Sequence, residues 1–366
     1  MLKIFLQILT IFIFATPLYA ENQFLPKVAK GFSISVYAEV ENARQLAVAE
    51  DGTLFVGTRN SGKVWAVQDK DNDGFAETKT LLLDSLNLPS GIAYLKGDLY
   101  IAEVHQVLRL KNILTQLDKP PVAEVVYSDL PDKKHHGWKF IAFDENDFLC
   151  IPVGAPCNSC NPDNEQFSHL RKVNLTTKQW TIIAKGIRNT VGFDWHPTTG
   201  KLWFTDNGQD WIGNDKPADE LNRIDRDGQH FGYPFIHGKS TADPKFYVQR
   251  PKLLKTSPPA LELQAHVAPL GIHFYTGKMF PRKYINQLFL AEHGSWNRTS
   301  KVGYKVLLVN IEKDKVISSE TFLSGFLEKG EVLGRPVAFA ELKDGSLLVS
   351  DDFAGKIYRI TVSKNL

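Results

Sequence analysis

Asp51-Gly52-Thr53-Leu54-Phe55-Val56 is a turn followed by a short apolar run, and the same figure returns along the chain. It recurs as Lys96-Gly97-Asp98-Leu99-Tyr100-Ile101 and as Glu145-Asn146-Asp147-Phe148-Leu149-Cys150-Ile151. Then come Thr199-Gly200-Lys201-Leu202-Trp203-Phe204, Asn286-Gln287-Leu288-Phe289-Leu290 and Asp344-Gly345-Ser346-Leu347-Leu348-Val349. Most copies are about 45 to 60 residues apart, and self-similarity at a fixed period marks a repeat architecture. After most of them a polar hairpin leads into another β-rich run, as in Gly62-Lys63-Val64-Trp65-Ala66-Val67 and Gly355-Lys356-Ile357-Tyr358-Arg359-Ile360. Each repeat thus offers about four short strands, the content of one propeller blade. Six repeats imply an all-β, six-bladed β-propeller around a central channel. Helical periodicity is absent apart from one short turn near Ile113 to Leu117. The widest gap, residues 210–269, is rich in Pro, Gly and charge and is expected to be a loop insertion over one end of the channel.

Composition narrows the partners. The chain has 366 residues, 43% hydrophobic and 23% charged, with a net charge of +2. Its lysines and arginines are scattered, so it lacks the basic field that nucleic-acid binding requires. Met1-Leu2-Lys3, an apolar run over 4–15 and Thr16-Pro17-Leu18-Tyr19-Ala20 read as a secretory signal cut after Ala20. The run is too short for a comfortable span, and no later stretch could cross a bilayer. The expected mature chain, 21–366, is one periplasmic or secreted domain. In an oxidising compartment Cys157 and Cys160 are expected to pair, whereas Cys150 lies in an apolar strand pattern and reads as a buried free thiol.

Five loop stretches carry candidate chemistry. Lys134-His135-His136-Gly137-Trp138-Lys139-Phe140 sets two histidines, the usual general bases near neutral pH, beside a glycine that lets a ligand approach the backbone. Arg188 and Asn189 precede a strand; arginine binds carboxylates through paired charged hydrogen bonds. Asp206-Asn207-Gly208-Gln209-Asp210 gathers oxygen donors around a turn, as a hard cation needs. Glu292-His293-Gly294-Ser295-Trp296-Asn297-Arg298 and Leu333-Gly334-Arg335-Pro336-Val337 each place a cation beside a blade strand. Taken singly, each stretch reads as readily as a solvated turn.

In this order the five stretches resemble the soluble quinoprotein dehydrogenases of the glucose/sorbosone dehydrogenase family, most closely the branch labelled L-sorbosone dehydrogenase. The resemblance runs from about Gly31 to Ile360. It implies a six-bladed propeller that binds pyrroloquinoline quinone (PQQ) and calcium and oxidises a sugar, a sugar-derived aldehyde or a polyol. His135 falls at the family's catalytic histidine, with His136 one residue away, and Lys139 at its basic position. Arg188 and Asn189 match the cofactor-contacting pair, and Gly208 and Gln209 fall where backbone carbonyls meet calcium. Arg335 matches one of two family arginines, Leu333 standing at the other position. Arg298 or Lys301 would supply the charge of the family's cofactor lysine. A proline common after the calcium-site glycine is Gln209 here.

Asp69-Lys70-Asp71-Asn72-Asp73-Gly74 begins like a calcium loop, with acids at Asp69, Asp71 and Asp73, but lacks an EF-hand's twelfth-position glutamate and flanking helices. A cation there would be structural. Two other function classes fit the same frame: a calcium-dependent propeller hydrolase acting on lactones, and a binding propeller without catalysis. The sequence names neither the substrate nor the electron acceptor.

Overall fold

The computed structural model describes residues 24–363. Its strands form six antiparallel blades in chain order, and each repeated turn–strand figure supplies the second strand of a blade. Blade 1 comprises Ala43–Val48, Leu54–Thr58, Val64–Gln68 and Thr78–Leu83; blade 2 comprises Gly91–Leu95, Asp98–Ala102, Val107–Leu110 and Glu124–Tyr127. Blade 3 runs from Ala142–Phe143 to Trp180–Lys185, blade 4 from Phe193–Trp195 to Leu261–Leu263, and blade 5 from Pro269–Phe274 to Lys315–Ser324. Blade 6 takes Pro336–Glu341, Leu347–Asp351 and Lys356–Val362 from the end of the chain. Its outermost strand is Phe32–Glu39, paired from Phe32 opposite Val362 to Glu39 opposite Lys356. Joining the two ends of the chain in one sheet closes the ring and covers an edge that would otherwise stand open.

The core is divided as this architecture demands. One apolar cluster fills each of the six gaps between adjacent blades. Phe55, Ile92 and Leu99 join blades 1 and 2, Tyr100, Ile151 and Val153 join 2 and 3, and Cys150, Phe193 and Phe204 join 3 and 4. Trp203, Phe274 and Leu290 join blades 4 and 5, Phe32, Phe289 and Tyr358 join 5 and 6, and Val40, Val56 and Leu348 join 6 and 1. A seventh small cluster, Val191, Leu270, Val337 and Ala338 with Trp138, packs where the inner strands converge. Gln45 reaches across from blade 1. Its Oε1 accepts from the N–H of Ile92 and of Ile141, and its Nε2 donates to the Ile141 carbonyl at 2.6 Å. A buried amide satisfied at both ends locks three inner strands together.

The stretch 210–269 differs from the sequence-based expectation of one loop over the channel. It contains two strands of blade 4, Asp219–Arg223 and Leu261–Leu263. Between them the chain leaves the blade, and Gln229–His230 adds in parallel to the outer edge of blade 3. Unpaired edge N–H and C=O groups recruit this excursion sideways, so it covers a blade flank. Cys157 and Cys160 form a disulfide, and Cys150 is free and buried. Among the described residues no helix is long and apolar enough to cross a membrane. The signal sequence at 1–20 lies outside them.

Candidate active site

The inner strand of each blade starts at one end of the channel, and the loops leading into these strands surround a cavity of about 340 Å³. Its walls come from blades 1, 4 and 5 and from the connections between blades 2 and 3, 3 and 4, 4 and 5, and 5 and 6. Trp138 and Leu270, members of the small central cluster, give it an apolar patch. The remaining wall is mostly charged or polar.

The histidine pair belongs to the connection between blades 2 and 3. His136 takes a positive φ of 50° and is buried. Gly154 makes room for it, because a Cβ there would lie 2.6 Å from the His136 Cβ. The His136 Nδ1 lies 2.9 Å from the Ala155 carbonyl. A carbonyl only accepts, so Nδ1 carries the hydrogen and neutral His136 keeps its lone pair on Nε2. Burial, then the charges of Arg188 and His135, hold His136 well below the ordinary histidine range. His135 tilts against it with ring centroids 4.1 Å apart; its ring is partly shielded there although the residue as a whole is exposed. Burial of its ring, then Arg188, lowers its pKa as well. Both rings face the cavity as neutral bases. Gly137 has a different role from the one its sequence suggests: a Cβ there would meet the Lys133 carbonyl at 2.1 Å, so its own chain fills the space expected for a ligand.

Arg188 and Asn189 are presented by a buried carboxylate. Asp206, the last residue of Leu202–Asp206, accepts the Arg188 N–H at 2.7 Å and the Asn189 N–H at 2.6 Å. The Arg188 guanidinium then donates to Asn158 Oδ1 (2.7 Å), the Asn158 and Asn207 carbonyls (3.0 Å each) and Asp210 Oδ2 (3.1 Å). Asn189 and Gly208 line the same cavity. Asp219 holds this turn by accepting the Gly208 N–H at 2.6 Å and the Ala268 N–H at 2.9 Å. Gln209 is buried just behind it, with its Oε1 buried and unpartnered.

The opposite wall is a relay of charge. Arg44 Nη1 lies 2.8 Å from Asp352 Oδ2, and His293 Nε2 lies 2.8 Å from Asp352 Oδ1. Arg335 reaches toward His293 Nδ1 at 3.4 Å and donates to the Tyr304 hydroxyl at 3.1 Å. Burial opposes the charged form of Asp352, but His293 and then Arg44 hold it well below the usual carboxylate range. Arg59 lies 3.8 Å over the Trp138 ring with its Nε buried and unpartnered. Burial and the nearby Arg44 lower its pKa to about 10.

The structure therefore brings His135, Arg188, Asn189, Gly208 and Arg335 to one cavity. Three other candidates do not reach its lining. Lys139 is buried outside it, its amine lowered to about 7 by burial and by Arg171. Arg298 donates to Asp215 at 3.0 Å and to the Asn214 carbonyl, and the Lys301 amine bonds the Gly330 carbonyl at 2.6 Å. Local carbonyls and a carboxylate capture both side chains. Asp69, Asp71 and Asp73 sit on the outer hairpin of blade 1, at the end opposite the cavity. Oxygens of Asp69, Asp71 and Glu77 lie within 4.8 Å of one another, while an Asp73 oxygen accepts the Phe75 N–H. Arg44, Arg59, His266 and Asn297 also line the cavity and do not stand out in the sequence. Arg44 is the second residue of the inner strand Ala43–Val48, whereas Arg188 and Arg335 precede theirs, so the repeat pattern does not single it out.

The lining holds four arginines (Arg44, Arg59, Arg188, Arg335) and two aspartates, Asp210 and Asp219. Both aspartates already accept hydrogen bonds from the protein. Such a wall suits a compact polyanion bearing several carboxylates, which fits PQQ. The unpartnered Oε1 of Gln209 adds one oxygen donor for a hard cation beside Gly208.

A closed six-bladed propeller with a cation-walled cavity at one channel mouth is the class that fold and site define. The chain belongs to the TrAA12-like family, whose profile matches residues 26–243 and 252–363. The eight positions between the two matched stretches, 244–251, lie in the excursion between the third and fourth strands of blade 4. A Borreliella burgdorferi protein described as uncharacterized is 37% identical over 353 residues, 92% of this chain and 91% of that one. Among solved structures, the calcium structure of the Trichoderma reesei carbohydrate-active enzyme of family AA12 superposes with a TM-score of 0.78 at 22% identity, covering 92% of this chain and 97% of that one. The holo form of the Coprinopsis cinerea pyranose dehydrogenase PQQ domain gives 0.75 at 17% identity, covering 93% and 97%. The PQQ-bound aldose sugar dehydrogenase of Streptomyces coelicolor gives 0.65 at 16%, covering 93% and 100%. At these identities the likeness is one of fold.

Proposed function

We propose that this protein is a quinoprotein oxidoreductase that oxidises a sugar, a sugar-derived aldehyde or a polyol, with PQQ and calcium as cofactors. The observation that carries the reading is the convergence of neutral His135 with Arg188, Asn189 and Arg335 on one cavity. When bound, the quinone supplies a two-electron acceptor and calcium a Lewis acid. Arg188, with Arg44, Arg59 and Arg335 on the opposite wall, would hold the quinone's carboxylates, and Gly208 and Gln209 would offer oxygen to calcium. Arg44 and Arg59 supply positive charge where Leu333 replaces a second arginine. His135 would take the proton from the substrate hydroxyl onto a ring nitrogen. His136, anchored on the Ala155 carbonyl, would hold the His135 ring in place. Export to the periplasm or medium is supported by the leader pattern at 1–20 and the Cys157–Cys160 disulfide.

Titrating the purified chain with PQQ, with and without calcium, tests this by calorimetry and absorbance. Saturable binding that calcium strengthens is the expected result. No binding at high micromolar quinone would overturn it. The hydrolase alternative needs side-chain acids free to hold calcium in the channel, whereas Asp206, Asp210 and Asp219 already accept N–H donors.

A further inference from the structure

Several large apolar side chains stand alone on the surface, such as Val122, Leu253 and Phe353. Trp211 and Trp296 are different. They are 69% and 65% exposed, and their rings meet edge to face with centroids 5.3 Å apart at 89°. Trp296 lines the cavity, so the pair stands at its rim. Trp211 also has a φ of +70°, a conformation that bulky residues rarely adopt and that persists where the surroundings impose it.

What imposes it is a clamp between two loops. Asp210, next to Trp211, accepts from Asn297 Nδ2 at 2.8 Å, and Asn297 follows Trp296. Asn214 Nδ2 donates to Thr299 Oγ1 at 3.1 Å, and Arg298 donates to Asp215 at 3.0 Å. The same Asp210 carboxylate accepts from Arg188, so the rim is tied directly to the cavity wall. Asn297 Oδ1 is buried beside this clamp without a partner.

The rim thus presents two flat, exposed aromatic faces at right angles, held in place by the clamp. A sugar ring matches this chemistry, offering a C–H face to stack on an aromatic ring. We infer that Trp211 and Trp296 form a rim subsite that stacks a second glycosyl unit of an oligosaccharide whose terminal unit enters the cavity. The inference rests on the sugar-oxidising reading above and narrows its substrate class to oligosaccharides.

The test is a calorimetric and tryptophan-fluorescence titration of the full chain with glucose, cellotriose and maltotriose, run with and without bound PQQ. At least one trisaccharide should bind about tenfold more tightly than glucose. Trp211→Ala and Trp296→Ala should each remove most of that advantage; both positions are exposed, so folding should survive. Neither trisaccharide exceeding glucose, or a preference that persists in both variants, would overturn the subsite. Quinone binding without any trisaccharide preference sinks the subsite alone. A tryptophan-dependent preference without quinone binding keeps the subsite and sinks the dehydrogenase reading.

Discussion

Asp352 Oδ1 lies 2.8 Å from Nε2 of His293 while its other oxygen lies 2.8 Å from Arg44 Nη1, so one carboxylate from blade 6 ties together walls from blades 1 and 5. All three side chains are nearly buried. Removing the charge leaves Arg44 uncompensated in a low-dielectric setting. Asp352→Asn should therefore cost about 3 kcal/mol of folding stability. It should also weaken PQQ binding by releasing Arg44 from its position. Urea melts of the variant check the first part and quinone titration the second. A variant as stable as the parent would show that the Arg44 charge is not confined.

The two histidines separate by role. His135→Ala should lower turnover by about 10²- to 10⁴-fold, the span of general-base catalysis, while leaving the quinone titration nearly unchanged. His136→Ala removes an anchor on the Ala155 carbonyl and should cost less in turnover. Steady-state kinetics on both variants decide between them. A larger loss at His136 would transfer the proton-accepting role to its Nε2.

The lowered pKa of His135 has a direction. Burial, then Arg188, disfavours its cationic form, so the ring stays a base as pH falls below the ordinary value of 6.5. The acid limb of the kcat/KM profile should accordingly lie below pH 6.5. Arg188→Gln removes one of the two causes and should move the limb upward, toward the ordinary value. A limb that stays put would mean that Arg188 exerts no field on the base.

The fold was largely legible because the turn–strand figure recurs once per blade, always as the second strand, where a buried strand between two neighbours must be apolar. The closing strand Phe32–Glu39 was not legible, since nothing local says that a strand near the start of the chain pairs with the last one. For the same reason 210–269 read as a loop: Asp219–Arg223 is a buried strand written in polar letters, its acids bonded to backbone N–H groups. Arg188 and Arg335 stood out as cations beside strands. Whether a cation reaches the cavity depends on local capture, which took Arg298 to Asp215 and left Arg335 at the wall.

The acidic hairpin of blade 1 and the cavity occupy opposite ends of the same blade, so two calcium effects should separate. Chelation should weaken quinone binding if calcium sits beside Gly208. Asp71→Ala should leave that titration unchanged, because Asp71 contributes nothing to the cavity wall. Calorimetric PQQ titrations with chelator and with the variant provide the comparison. A weakened titration in Asp71→Ala would couple the two ends.

His169 predicts the acid behaviour of the whole fold. Its Nδ1 lies 3.0 Å from the Asn164 carbonyl and 3.1 Å from that of Phe167, so Nδ1 is the donor. Its Nε2 accepts the Arg171 Nε–H at 2.9 Å and has no room for a proton of its own. Burial, then the Arg171 charge, lowers its pKa to about 4. The unfolded chain takes up this proton once pH falls below about 6.5, whereas the folded chain resists until near 4. Stability should fall with pH across that window, by about 3 kcal/mol from this residue alone. His169→Gln can donate and accept at the same positions without titrating. Urea melts at pH 7 and pH 5 should therefore show a shallower loss in the variant, and equal slopes would mean that His169 is protonated alike in both states.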